Sequence, residues 1–226
     1  MTKLLIKRFI KDYENTQNSD VRTAYGKFSS IVGIVCNAIL FISKLIVGTL
    51  SASVSITADA VNNLSDASSS IISLLGFKLA SRPADEEHPY GHGRYEYLSG
   101  LMVAVLIMVI GVELFKSSLD KVLHPSAVEF SWVTVGVLAF SILLKTWMAL
   151  FNTKTGKMIN SNTLIATAAD SRNDVITTGA VLVAAILSHF IGFELDGWMG
   201  LGVAVFILYS GFGLVKDTLD PMLGKA

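Results

Sequence analysis

Six apolar stretches of this chain are each long enough to cross a lipid bilayer as a helix, which needs about 20 predominantly apolar residues. They cover residues 28–50, 53–80, 95–119, 132–151, 164–190 and 198–215. The composition agrees, since 52% of the residues are hydrophobic and 16% are charged, against about 25% charged residues in an average soluble chain. The sequence therefore predicts an all-α membrane protein with six transmembrane helices.

Six membrane crossings would place the loops and chain ends on two sides of the membrane. The basic residues are distributed unequally between these two sides. On the side of both termini lie Lys3, Lys7, Arg8, Lys11, Arg22, Lys27, Lys78, Arg82, Arg94, Lys154, Lys157, Lys216 and Lys225. The loops on the opposite side contain only Lys116 and Lys121. Because cytoplasmic loops are enriched in Lys and Arg, both termini are predicted to be cytoplasmic. The predicted location is the cell membrane, which in bacteria is the inner membrane.

The chain is predicted to form one membrane domain at residues 28–218. Residues 1–27 lack the small-residue cleavage site of a secretory signal and are interpreted as a retained cytoplasmic lead-in. Residues 219–226 are interpreted as a short cytoplasmic end. Lys+Arg and Asp+Glu both number 18, so the charge does not indicate a nucleic-acid partner. Cys36 is the only cysteine, which excludes an intrachain disulfide and a thiolate metal cluster.

Two of the apolar segments contain a polar patch. One patch covers residues 59–66 of the second segment, and the other includes Asp170 and Asp174 in the fifth segment. An ionisable residue near the membrane centre costs roughly 2.5–3.5 kcal/mol on insertion scales, so acids placed there indicate a functional site. Oxygen-bearing side chains on two helices favour a divalent cation as the guest.

The second segment offers two candidate pairs of side chains. Residues four apart lie on the same face of a helix. Both Asp59 with Asn63 and Asn62 with Asp66 have this spacing. The spacing alone leaves the choice between the two pairs open.

Buried polar residues in a membrane protein have several interpretations. Contacts that only hold helices together are common, although each contributes only about 0.6 kcal/mol. An intramembrane aspartyl protease would use two aspartates that share a proton, but without an asparagine partner. A passive cation channel is a further alternative. Transport by alternating access fits best, because it requires oxygen ligands from different helices near mid-membrane.

Three motifs together carry a specific resemblance. They are Ser-Val-Ser-Ile-Thr-Ala-Asp at 53–59 followed by Asn62-x-x-x-Asp66, the loop Pro-Ala-Asp-Glu-Glu-His-Pro-Tyr-Gly-His-Gly-Arg-Tyr-Glu at 83–96, and Asp170-x-x-x-Asp174. With them, the chain resembles the cation diffusion facilitator family from about residue 28 to residue 226. Family members are six-helix divalent-cation/proton antiporters that work as homodimers.

The resemblance implies a transporter and not an enzyme. Its partners would be membrane lipid, a divalent cation, protons and a second copy of the chain, and no organic cofactor is expected. The family normally continues into a cytoplasmic ferredoxin-like domain. That domain is expected to be absent from these 226 residues.

The resemblance also implies the metal ligands. In the family, the ligands of helix two lie 19 and 23 positions before a loop acid that matches Asp85, which selects Asp66 and Asn62. Together with Asp170 and Asp174, they would hold a metal ion at mid-membrane between helices two and five.

Other polar residues are assigned to supporting positions. Asp59 lies one turn before Asn62 and is interpreted as a carboxylate behind the ligands or on the access path of the metal. Asp85, His88 and His92 match loop positions at which zinc relatives bind a second ion. They are candidates for a second metal site.

The four implied ligands are all oxygen donors, which suits Mn²⁺, Mg²⁺ or Ca²⁺. Four ligands are few for Ca²⁺, and Mg²⁺ sheds water reluctantly. Mn²⁺ is therefore the predicted transported ion, with Fe²⁺ or Zn²⁺ as alternatives, although zinc exporters of the family use a histidine ligand. Crowded carboxylates repel one another, so at least one should be protonated when the metal is absent. Metal and protons would then move in opposite directions.

Several other charges lie within the predicted helices. Lys44 and Glu113 should both lie in the outer third of their helices, and an ion pair between them is predicted. Lys145, near the inner end of the fourth helix, is expected to extend its ammonium group to the interface. Arg172 lies on roughly the opposite helical face from Asp170 and is interpreted as a partner of a neighbouring helix or of the cytoplasmic surface.

Overall fold

The computed structural model describes residues 6, 9–10, 13–16, 19–80, 94–126, 128–191 and 194–223. Six long helices follow one another: α1 (Ser19–Leu50), α2 (Val54–Ala80), α3 (Arg94–Leu123), α4 (Trp132–Met158), α5 (Asn162–Ile191) and α6 (Asp196–Met222). No strand occurs within the described ranges. The prediction of an all-helical fold with six helices is confirmed.

Five of the six helices extend beyond the apolar stretches that predicted them, and α2 matches its stretch to within one residue. α1 begins at Ser19 rather than at residue 28, and α4 continues to Met158 rather than ending at residue 151. An apolar run marks only the part of a helix that lies in hydrocarbon, whereas the backbone hydrogen bonds continue into the polar interface. The added turns of α4 accordingly carry Lys154 and Lys157.

Within the described residues, four helices contain a segment long and apolar enough to cross a membrane. These segments are Val21–Leu50, Trp132–Met158, Leu164–Phe190 and Asp196–Lys216. Large apolar side chains such as Ile39, Leu143 and Val183 are exposed on the outside of the bundle, where lipid would cover them. The fold is that of a multi-pass membrane protein. The cytoplasmic placement of both termini stays a prediction.

The helices pack mainly in three pairs, α1 with α2, α4 with α5, and α3 with α6. All six helices contribute to one buried core, for example through Val47, Ile56, Ile107, Leu138, Val181 and Ile207. Glycines let α3 and α6 approach closely, since a Cβ atom at Gly111 would lie 3.0 Å from Leu208. α2 and α5 also contact each other inside the bundle, which places their polar patches face to face.

The described residues before α1 pack against the turn between α4 and α5. One buried cluster contains Ile6, Ile10, Val21, Tyr25, Ile159 and Leu164. The Tyr25 hydroxyl donates a 2.9 Å hydrogen bond to the carbonyl oxygen of Tyr13. In the turn itself, Asn160 adopts a left-handed conformation with φ of 50°, which asparagine tolerates better than most residues. The predicted lead-in is thus partly built into the bundle.

Candidate metal centre

Two of the implied ligands meet directly between α2 and α5. Asn62 Nδ2 donates a 2.7 Å hydrogen bond to Asp174 Oδ1, and both residues are buried. Asp66 lies one turn further along the same face of α2, and its side chain keeps 29% exposure. Asn63, the neighbouring candidate, instead donates its amide to the carbonyl oxygen of Asp59 within α2. The Asn62 amide therefore reaches α5, whereas the Asn63 amide bonds within α2.

Lys145 of α4 lies at the centre of this site. Its Nζ donates to Asp66 Oδ2 at 2.8 Å and to Asp174 Oδ2 at 2.5 Å. The lysine side chain is only 1% exposed. The expectation that Lys145 extends to the interface is therefore wrong, because its ammonium group is buried between two carboxylates.

The position of Lys145 follows from the helical repeat of α4. The buried residues of this helix include Leu138, Ser141, Lys145, Met148 and Asn152, which recur every three or four positions. That spacing defines one face of a helix, and α4 packs along α5. A buried ammonium group requires a charged partner, and Asp174 on α5 supplies it. The repeat was visible in the sequence, whereas the identity of the partner was not.

Asp170 lies one turn before Asp174 on α5, and in contrast to Asp174 it is exposed. Among the described residues, no group of three or more His, Cys, Asp or Glu side chains is arranged to hold a metal ion. The structure thus brings Asn62, Asp66 and Asp174 together around Lys145. Asp170 stands at the edge of this arrangement.

A second buried charge network lies next to the site. Lys44 Nζ on α1 lies 2.7 Å from Asp59 Oδ2 on α2, and both side chains are fully buried. Thr178 of α5 donates its hydroxyl to the same carboxylate oxygen at 2.9 Å. Asp59 precedes Asn62 by three residues and Thr178 follows Asp174 by four, so this network is about one helical turn from the candidate ligands.

The predicted ion pair between Lys44 and Glu113 is wrong. Glu113 is 67% exposed and pairs with Lys116 on its own helix at 2.9 Å. The physical reason is the helix packing. α1 lies along α2, and its buried lysine therefore meets Asp59, while Glu113 faces outward from α3.

Asp196, at the start of α6, forms a third buried cluster, which the sequence did not predict. Its carboxylate accepts hydrogen bonds from the Ser53 and Ser55 hydroxyls, both at 2.5 Å, and from the Val54 backbone N–H at 2.9 Å. Lys121, at the end of α3, lies 2.9 Å from the same carboxylate. A carboxylate is favourable at the N-terminus of α2, because the first N–H groups of a helix lack intrahelical partners. The Ser-x-Ser motif before a helix signals such a cap, but not which helix supplies the acid.

Two remaining predictions concern Arg172 and the candidate second metal site. Arg172 donates to the Thr153 hydroxyl on α4 at 3.0 Å, which confirms its interpretation as a partner of a neighbouring helix. Asp85, His88 and His92 lie outside the described residues. The second metal site stays a prediction.

A helical membrane bundle with charged and amide side chains buried between its helices has the architecture of an ion transporter. The chain belongs to the cation diffusion facilitator family, since the sequence model of the family's cation efflux transmembrane domain matches residues 30–223.

Curated relatives agree with this membership. An uncharacterized transporter of Methanocaldococcus jannaschii is 34% identical over 196 residues, which cover 87% of this chain and 69% of the relative. The manganese efflux system protein MneS of Bacillus subtilis is 25% identical over 193 residues, covering 85% of this chain and 67% of that protein. The cation-efflux pump FieF of Salmonella arizonae is 28% identical over 205 residues, with 89% and 68% coverage.

The chain is therefore a member of a family of cation efflux transporters. It is not an enzyme, so the aspartyl protease interpretation is set aside. The resemblance drawn from its motifs is confirmed.

Proposed function

We propose that this protein exports Mn²⁺ in exchange for protons, with Asn62, Asp66, Asp170 and Asp174 as the metal ligands. The observation that carries the proposal is the direct contact between the two patches, in which Asn62 Nδ2 lies 2.7 Å from Asp174 Oδ1. Side chains of α2 and α5 that carry oxygen donors thus meet at one buried point, where the Asn62 amide turns its nitrogen to Asp174. Such an arrangement is typical of substrate sites in membrane transporters.

The choice of Mn²⁺ rests on the donor atoms. Asn62 offers an amide oxygen and the three aspartates offer carboxylate oxygens. Hard oxygen donors suit Mn²⁺ better than they suit Zn²⁺, which also binds well to imidazole nitrogen. The relative from Bacillus subtilis is named for manganese efflux. Export of Zn²⁺ or Fe²⁺ is the second candidate, because the general affinity order places both metals above Mn²⁺ at most sites.

The charge of the site supports exchange for protons. Asp66 and Asp174 share one ammonium group, and Asp170 adds a further carboxylate to the same α5 face. Like charges so close to one another favour protonation of one carboxylate in the empty site. An arriving divalent ion would release that proton, and protons returning from outside would release the metal.

The proposal has a structural requirement. Asp170 is exposed, so its side chain must turn inward, or α5 must rotate, when the metal binds. The proposed transporter is a homodimer in the cell membrane with both termini in the cytoplasm. Alternating access would then move α2 and α5 so that the site opens to one side at a time.

Uptake into proteoliposomes tests the proposal. The purified chain would be reconstituted with a pH-sensitive dye inside the vesicles, and uptake of Mn²⁺, Fe²⁺, Zn²⁺, Mg²⁺ and Ca²⁺ would be compared. We expect Mn²⁺ to enter fastest while protons move in the opposite direction. Flux at channel-like rates that ignores the proton gradient would support the passive channel instead, and faster Zn²⁺ uptake would support the zinc exporter.

A further inference from the structure

We propose that Lys145 is a tethered cation that occupies the empty metal site and that the incoming metal must displace. The inference rests on the proposed function, because it takes Asp66 and Asp174 as metal ligands. It adds a component that the four implied ligands do not include, a resident positive charge supplied by α4.

The contacts of Lys145 place it in direct competition with a metal ion. Its ammonium group bridges Asp66 Oδ2 at 2.8 Å and Asp174 Oδ2 at 2.5 Å. An ammonium group has three donors and no lone pair, so it cannot itself bind a metal while charged. Metal and lysine therefore compete for the same two carboxylates, and their positive charges repel each other there.

The surroundings of Lys145 indicate the direction in which its side chain leaves. The Asp174 side chain is 6% exposed and the Asp66 side chain is 29% exposed. The four-carbon stem of a lysine is flexible and its ammonium group is strongly hydrated. Displacement past Asp66 would move the ammonium group towards the less buried side of the site, whereas displacement past Asp174 would leave it buried without a partner.

A resident cation has a consequence for the transport cycle. Two buried carboxylates without a counter-ion are costly to move through the low-dielectric interior. While Lys145 bridges the two carboxylates, its positive charge lowers the net negative charge of the empty site by one. Lys145 should therefore help the empty transporter to change orientation, a step that net transport requires and that metal exchange does not.

The decisive comparison uses Lys145→Met, which keeps an unbranched side chain of similar size and removes its charge. Mn²⁺ binding would be measured by titration in detergent, and net Mn²⁺ uptake would be compared with the exchange of radioactive for unlabelled Mn²⁺ in proteoliposomes. We expect binding to tighten by about tenfold, because a competing positive charge is gone. The ratio of exchange to net uptake should rise by about tenfold as well, since the return of the empty site is impaired.

Two further lysine variants complete this comparison. Lys145→Arg keeps the charge, and its guanidinium group pairs well with carboxylates, so Mn²⁺ binding should be unchanged or weaker. Lys116→Met removes an exposed lysine, 65% accessible, on the outside of α3. This control should leave both the affinity and the exchange ratio as in the unchanged chain.

A chemical rescue separates charge from packing. In a Cys36→Ala background the chain has no cysteine, so Lys145→Cys can be modified selectively. A positively charged aminoethyl methanethiosulfonate adduct should return the exchange ratio towards that of the unchanged chain. The neutral methyl adduct should not.

The outcomes are distinguishable. Unchanged Mn²⁺ affinity in Lys145→Met, an equal loss of exchange and net uptake, or equal rescue by both adducts would overturn the role of Lys145. An unchanged chain that neither exchanges nor accumulates any divalent metal would instead overturn the proposed function itself.

Discussion

Lys44 and Asp59 form a fully buried ion pair, with 2.7 Å between Nζ and Oδ2. The pair joins α1 to α2, and Thr178 extends the connection to α5 through hydrogen bonds to both partners. Removing one member of a buried pair leaves an uncompensated charge. The network is therefore expected to hold α1, α2 and α5 together next to the candidate site.

The first prediction concerns the stability of this network. Lys44→Met should destabilise the protein by about 3–5 kcal/mol, because it leaves the Asp59 carboxylate buried without a cation. The double variant with Asp59→Leu should recover much of the loss, because it removes both charges together. Thermal unfolding in detergent, followed by tryptophan fluorescence, would measure both effects.

A matched control exists on the outside of the bundle. Lys116 and Glu113 form an ion pair with 65% and 67% exposure, and exposed pairs contribute at most about 1 kcal/mol. Lys116→Met should therefore change the unfolding temperature very little. Equal effects of Lys44→Met and Lys116→Met would contradict the structural role of the buried pair.

The second prediction concerns the ligands. Asp66→Ala, Asp170→Ala and Asp174→Ala should each abolish Mn²⁺ transport while the protein still reaches the membrane, because each removes an anionic ligand. Asn62→Ala should only weaken transport. Uptake per amount of reconstituted protein is the measurement. Normal transport by Asp66→Ala together with inactive Asp59→Ala would show that the other register of α2 binds the metal.

The third prediction concerns selectivity and uses Asp170→His. The substitution introduces a nitrogen donor and removes one negative charge, and both changes favour Zn²⁺ over Mn²⁺. The ratio of zinc to manganese uptake should therefore rise. Asn62→Asp is the control, since it keeps the ligand set all-oxygen and should shift the ratio less. Equal transport of both metals by the unchanged chain, with no response to Asp170→His, would contradict the argument from donor atoms.

The fourth prediction concerns the packing of α6. A Cβ atom at Gly200 would lie 2.7 Å from Ser118 Oγ and 3.0 Å from Val54. Gly200→Ala should destabilise the protein by about 1–3 kcal/mol, because the crowded interface has to shift. Gly202 on the same helix has open space around its Cβ position, so Gly202→Ala should be neutral or slightly stabilising. Thermal unfolding of the two variants compares them directly.

The sequence predicted the helices well because long apolar runs have few alternatives in a bilayer. It also predicted that polar residues of α2 and α5 come together, as the contact between Asn62 and Asp174 shows. It failed for the lysines, because helical spacing determines which face a side chain occupies but not which helix lies opposite. The predictions for the surroundings of Lys145 and Lys44 are therefore wrong. The acids that pair with these lysines are determined by the packing of α4 on α5 and of α1 on α2.

The Asp196 carboxylate has a mechanical consequence for the bundle. Because it is bonded to the start of α2 and to Lys121 at the end of α3, three helix ends are joined at one carboxylate. At a rise of 1.5 Å per residue, Asn62 and Asp66 lie roughly 10 and 16 Å along α2 from Ser55. The bonded N-terminal end of α2 would thus be the point about which this helix pivots. A tilt of α2 about this end would give its largest lateral displacement further along the helix, at and beyond the position where the metal would bind.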